Sequence, residues 1–257
     1  MTIAFVGAVC GIGGGLFAVP LLHYGFKLPL RQSVATALCL VAATAIASTT
    51  TEFLHSESAL MWDIVAPLVG GALFGAQFGF LLSRRIDERL LKGIFCFVLL
   101  GIGLRMLLAM SVQAEPGEFH SGYSFLRASG VALIGVMAGT LSPLLGIGGG
   151  LIVVPGLLLS MPAIGGNGAR AASLAVACVT SLRSIHLYAK ERSIDPRIAL
   201  WFALGGLMGA ALGVQFAHLP GVSAYGQRTL GVILVVTALR FARDAFGPRV
   251  PVAEPSN

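Results

Sequence analysis

The stretch GIGGGLFAVP runs from Gly11 to Pro20, and GIGGGLIVVP runs from Gly146 to Pro155. One decapeptide, closed each time by a proline, thus occurs twice, 135 residues apart. In a soluble chain such a run would suggest a dinucleotide fingerprint. That motif needs a strand before it, the helix of a βαβ unit after it and an acidic residue about 20 residues on. None is present. In lipid the glycines mean something else. Each destabilises a helix by about 1 kcal/mol relative to alanine. A break also exposes backbone N–H and C=O groups, which hydrocarbon tolerates only where protein or a watery cavity satisfies them.

The composition places the chain in lipid. Of 257 residues, 56% are hydrophobic and only 11% charged, against about 25% charged in soluble domains. Eight apolar segments, at roughly 3–22, 33–54, 61–82, 91–110, 125–160 (long and broken), 171–189, 198–217 and 226–241, have the length of membrane-spanning helices, about 20 residues. Spanning β-strands would be half as long and strictly alternating. The expected fold is an all-α polytopic membrane protein. The net charge of +6 does not point to nucleic acid, because the basic residues stand singly or in short clusters at the ends of apolar runs. That is the pattern of positive-inside topology. Cys10, Cys39, Cys96 and Cys178 sit inside apolar runs without CxxC spacing and read as buried small hydrophobes. Met1 leads into apolar sequence without a basic leader region, so no cleavable signal peptide is expected.

The two halves are copies. Beyond the decapeptide, the third segment of each carries a row of glycines four apart: Gly71, Gly75 and Gly79 in the first, Gly205, Gly209 and Gly213 in the second. Such rows lie on one helix face and let two backbones approach closely, so they are expected to pack helices. The last segments end alike at Arg105 and Arg240. The expected organisation is a first repeat at 1–110, a polar linker at 111–124, a second repeat at 125–245 and a proline-rich disordered tail at 246–257. The first copy is short, with ten residues before Gly11. Either it is naturally so, or the N-terminus is truncated or misassigned.

The basic residues also bear on orientation. If every segment crosses once, they divide eight against eight. If each glycine-rich segment instead dips in and returns, each half crosses three times and the second half is inverted. Twelve then share one side (Lys27, Arg31, Arg84, Arg85, Arg89, Lys92, Lys190, Arg192, Arg197, Arg240, Arg243 and Arg249) against Arg105, Arg127, Arg170 and Arg228. The second arrangement obeys the positive-inside rule, and an inverted repeat is expected.

Paired interrupted segments at matching positions are the best sequence pointer to a transporter binding site. Helix N-termini after the breaks would offer free N–H groups and partial positive charge, which suits an anion. The expected site is therefore Gly11, Gly13, Gly14 and Gly15 facing Gly146, Gly148, Gly149 and Gly150, with Pro20 and Pro155 limiting or kinking the returning helices. Close helix packing through glycine is the alternative. Hydroxyls at Ser33 and Thr36 (QSVATAL) and at Ser173 (ARAASLA) could donate to the anion, or bond back to helix carbonyls. Arg183 lies seven residues before Lys190. It is either an anion ligand or a side chain snorkelling to the interface. His186 and Glu52 are expected at the membrane surface, and Gln77 either bonds across helices or lines a pathway.

At these residues the chain resembles the sulfite exporter TauE/SafE family of membrane transporters. The twin GIGGG motifs carry the resemblance, together with QSVATAL, ARAASLA and the glycine rows GALFGAQFG and GGLMGAALG. It extends over about residues 5 to 245. It implies a multi-pass protein of the bacterial inner (plasma) membrane that passes sulfite, sulfonates or related small organosulfur or organic anions. No cofactor or metal is expected, no nucleotide motif is present, and a homo-oligomer stays open. A channel-like facilitator and a non-transporting scaffold are the alternatives. An enzyme is not expected. HExxH and GxSxG are absent, and His23, His55, His120, His186 and His218 lie mostly near segment ends.

Overall fold

A backbone in lipid must satisfy its own hydrogen bonds, so apolar runs wind into helices. Every element in the computed structural model, which describes residues 15–54, 62–107, 125–161, 164–191, 194–217 and 235–243, is helical. These are α1 (Gly15–Pro20), which runs on into a π-helical turn (Leu21–Gly25), α2 (Leu30–Leu54), α3 (Trp62–Arg85), α4 (Glu88–Leu107), α5 (Phe125–Leu145), α6 (Gly150–Ser160), α7 (Gly165–Lys190), α8 (Pro196–Ala217) and α9 (235–243). Among the described residues four stretches are long and apolar enough to cross a membrane: Leu30–Thr50, Asp63–Arg85, Ala128–Leu145 and Ala171–Lys190. The start of α8, Pro196–Met208, is apolar but shorter. The expected segment at 91–110 falls in α4, whose apolar run between Lys92 and Arg105 is less than the roughly 20 residues a span needs. Much of the expected segments 3–22 and 226–241, the linker and the tail lie outside the described residues.

Packing divides the chain into two compact units, one of residues 1–85 and 111–226, the other of 86–110 and 227–257. In the second unit Phe95 of α4 stacks on Phe241 of α9, with ring centroids 5.3 Å apart and planes 12° from parallel.

In the first unit α3 and α5 are the most extensively joined pair. They run parallel with backbone against backbone. Gly71 meets the Ala132 carbonyl, Gly75 that of Val136 and Gly79 that of Thr140, while Gly135 and Gly139 of α5 meet the carbonyls of Leu68 and Ala72. A side chain at any of the five would overlap the neighbouring main chain, the kind of approach that small residues permit. On α8, Gly206 meets Leu40 and Thr44 of α2. Gly205 beside it is half-buried, and the surroundings of Gly209 and Gly213 lie outside the described residues.

Polar contacts define one end of this unit. Arg84 Nε pairs with Glu191 Oε1 at 2.9 Å, and Arg31 Nη2 donates to the Arg84 carbonyl at 3.4 Å. The start of α2 and the ends of α3 and α7 therefore share what we call the basic end. The first turns of α8 lie there too, because Phe202 stands edge-on to Phe26 just before α2, with centroids 6.1 Å apart. Asp195 starts α8 by accepting from the amides of Arg197 (3.0 Å) and Ile198 (3.3 Å), with Pro196 at the first helical position, where its missing N–H costs nothing.

The directions of α1 and α6 position the site. Gly149 meets the Ala138 carbonyl and Gly156 the Ile134 side chain, so α6 returns antiparallel along α5. Val153 and Leu157 of α6 pack with Ile64, Val65, Val131 and Ala169 from the starts of α3, α5 and α7. Thus α5 and α6 form a hairpin, open at the end opposite the basic end. In α1, Gly15 meets the Gly146 carbonyl oxygen, and the chain then leads the other way, to Lys27 and Arg31.

Candidate functional site

The tip of the α5–α6 hairpin is the second glycine motif. The Gly146 amide donates to the Ser142 carbonyl at 2.8 Å and closes α5. Gly146, Gly148 and Gly149 then take φ angles of 67°, 77° and 75°, the left-handed region that glycine enters without the Cβ penalty of about 1–2 kcal/mol. The helix resumes at Gly150, with Gly149 as its N-cap and no side-chain cap bond. Ile152 N bonds back to the Gly149 carbonyl at 3.2 Å.

Helix α7 bonds to the chain on both sides of Gly149. Thr180 Oγ1 lies 2.8 Å from both the Gly148 carbonyl and the Val176 carbonyl of its own preceding turn, which share its one proton, and Ser173 Oγ donates to the Gly150 carbonyl at 3.0 Å. Thr180 lies near the midpoint of the Ala171–Lys190 span, so the turn sits deep in the helical layer. The amides of Gly150 and Leu151 open α6 and have no acceptor within it. They form the positive end of its dipole. Donors without a side-chain cap, at a helix start in an apolar setting, form a ready site for an anion.

The walls are close. Gly148 lies between Val41 of α2 and Ala177 of α7, and a Cβ on Gly149 would stand 2.7 Å from the Ala138 carbonyl oxygen. A Cβ on Gly15 would stand 2.6 Å from the Gly146 oxygen, so the two decapeptides touch. Residues 146–150 are all buried.

The expected site residues divide as follows. Gly15, Gly146, Gly148, Gly149, Gly150 and Ser173 come together at the turn. Gly11, Gly13 and Gly14 lie outside the described residues. Ser33 Oγ donates to the Pro29 carbonyl at 3.1 Å, the back-bonding alternative. Thr36 is fully buried and its Oγ1 has no partner. Arg183 is not brought to the turn. It is exposed and donates across to Gln77 Oε1 of α3 at 3.0 Å. His186 is exposed, and the Glu52 side chain lies outside the described residues. Cys39, Cys96 and Cys178 are free and half-buried rather than fully buried. Cys10 is outside the described residues.

Sequence reasoning missed four polar side chains on or beside α7. Thr180 is one. Tyr188 is another: its hydroxyl donates to the Pro143 carbonyl at 2.8 Å and lies 3.2 Å from Ser83 Oγ. Ser142 and Ser184 are fully buried with unpartnered hydroxyls. Leaving such a group unpaired costs about 1–3 kcal/mol. The available signal was the spacing of Ser173, Thr180, Ser184 and Tyr188, which shares one helix face.

Comparison with known proteins accords with this architecture. The profile of the family described as sulfite exporter TauE/SafE matches residues 1–133 and again 131–256. A "Probable membrane transporter protein" of Xylella fastidiosa (strain 9a5c) is 29% identical over 248 residues, covering 92% of this chain and 90% of its own length. The similarly named MJ0441 of Methanocaldococcus jannaschii is 27% identical over 193 residues, covering 72% and 68%. YdhB of Bacillus subtilis (strain 168), also named as a membrane transporter, is 24% identical over 212 residues, covering 81% and 84%. No solved structure matches the chain at a significant level.

Proposed function

The chain belongs to the sulfite exporter TauE/SafE family, and from that premise we propose that it carries a small anion across the membrane through a site shared by its two glycine motifs. The coarse function, an integral membrane transporter, comes with the family. The solute class and the site are our own proposal. Sulfite, a sulfonate or a related organosulfur or organic anion fits the chemistry.

One observation carries the proposal. At the middle of the helical layer the chain breaks at residues 146–149, the hydroxyls of Thr180 and Ser173 lie on the carbonyls of Gly148 and Gly150, and α6 opens with no side-chain cap on its first amides. A helix that starts deep in the layer with no side-chain cap on its first amides favours negative charge there. Thr36, buried and unpartnered, is the hydroxyl we assign to the solute from the first half. Ser33 serves the backbone. Arg183, exposed and bonded to Gln77 of α3, stands apart from the turn and is not assigned to it.

We further infer two repeats, 1–110 and 125–245, of inverted orientation, each opening with a glycine-broken element. Three facts support this. The family profile matches twice. Helices α1 and α6 leave their common level toward opposite ends. The ends of α3 and α7 meet at the Arg84–Glu191 pair. With the basic end inside, the chain obeys the positive-inside rule in a bacterial inner membrane.

A thermal-shift screen on purified protein tests the solute class, because a ligand that binds only the folded state raises the melting temperature. Sulfite or sulfonates should raise it above an equal ionic strength of chloride. The absence of a shift with every small oxyanion would contradict the proposal.

A further inference from the structure

Serine and threonine in membrane helices ordinarily bond back to a carbonyl of the preceding turn. Thr44, Ser83, Thr140 and Ser181 all do so here. Ser142 and Ser184 do not, although both are fully buried. Their positions are related. On one face of α7, Thr180 holds the Gly148 carbonyl and Tyr188 holds that of Pro143, and Ser184 lies between them, one turn from each. It therefore faces the short segment between Pro143 and Gly148. Ser142 adjoins Pro143, and its own carbonyl receives the Gly146 amide. The two unpartnered hydroxyls thus belong to facing stretches of chain, next to the glycine turn on its basic-end side.

The same place is closed toward the basic end. The Tyr188 hydroxyl bridges α7 to Pro143 of α5 and to Ser83 of α3, and Phe80 packs edge-on against its ring with centroids 5.1 Å apart. Outside this bridge, Arg84 ties α3 to Glu191 and to Arg31. Hydroxyl donors just inside a polar closure suit an oxygen of an anion.

We infer that Ser142 and Ser184 form a second solute subsite, between the glycine turn and the Tyr188 bridge, where their hydroxyls donate to a small oxyanion on its way to or from the basic end. This rests on the transport function proposed above and adds a station to its route.

The test is sulfite uptake into proteoliposomes by the wild type, Ser142→Ala and Ser184→Ala, with melting temperatures measured alongside. Loss of one donor should lower sulfite uptake at subsaturating concentration about fivefold. The melting temperature should hold or rise, because each substitution removes a hydroxyl that the folded chain leaves unpaired. Should an alanine variant fail to fold, Ser184→Thr and Ser184→Val compare a hydroxyl with a methyl of the same size, and only the threonine should transport. Wild-type uptake equalled by the alanine variants, or by valine and threonine alike, would overturn the subsite and leave the transport function standing. A wild type that moves no sulfite, sulfonate or carboxylate would overturn both.

Discussion

Arg84 and Glu191, more than 100 residues apart in the chain, form an ion pair at 2.9 Å, which sets the C-termini of α3 and α7 at the same end of their unit. The pair is half exposed, so its own contribution is small, about 0–1 kcal/mol. Its value is topological. A chain in which every segment crosses once would put Arg84 and Lys190 on opposite faces, whereas two re-entrant glycine segments put them together. In a background without the native cysteines, Lys27→Cys and Ser193→Cys should react with impermeant thiol reagents from the cytoplasmic face, and Ser121→Cys and Ser223→Cys from the other. Labelling of positions 121 and 193 from one face would rule out the inversion.

The α3–α5 seam predicts a graded response to added side chains. Gly75→Leu or Gly79→Leu drives a side chain into the backbone of Val136 or Thr140 and should cost at least the 1–3 kcal/mol typical of overpacking. It would be seen as a lower melting temperature and loss of monodispersity. A methyl group added at Gly70 or Gly93 would meet open space, and both glycines sit in helices. Alanine there should be neutral or stabilising by about 0.5–1 kcal/mol. Equal behaviour of the two classes would contradict the seam.

Thr180 holds the glycine turn through its hydroxyl. Thr180→Val keeps the shape and leaves the Gly148 carbonyl buried without its donor, a loss of about 1–3 kcal/mol. Ser173→Ala removes a bond to Gly150, whose carbonyl keeps its partner within α6, and should cost less. Hydrogen exchange of the α6 amides reads the result directly. Faster exchange in α6 with α3 unchanged is expected. Unaltered exchange would mean that the turn is held by something else.

Arg183→Gln should leave the apparent affinity for sulfite within about twofold of the wild type, because the guanidinium is exposed and bonded to Gln77. A tenfold loss, about 1.4 kcal/mol, would return Arg183 to the solute.

Much of the helical framework was legible in the sequence because hydropathy and length speak directly in lipid. The runs at 33–54, 61–82 and 171–189 became α2, α3 and α7, and the long segment 125–160 broke at its glycines. The row Gly71, Gly75 and Gly79 lies against α5 because residues four apart share a face. What was not legible depended on partners distant in sequence. Nothing local says that Gly148 meets Thr180 or that Tyr188 reaches Pro143, since a threonine or tyrosine in an apolar helix has local and lipid-facing explanations. Thr36 and Ser173 hold the same place in their matching heptapeptides, yet one has no partner and the other bonds Gly150 across the site. The difference lies in which backbone happens to pass by.

Radiolabelled sulfite uptake by reconstituted wild type and Gly149→Leu tests the central claim most directly. The left-handed φ of Gly149 and its contact with the Ala138 backbone leave no room for leucine without moving the turn. Saturable uptake by the wild type, abolished in a variant still inserted in the membrane, is the predicted result. Uptake by Gly149→Leu equal to the wild type, or no flux of any small anion through the wild type, would contradict it.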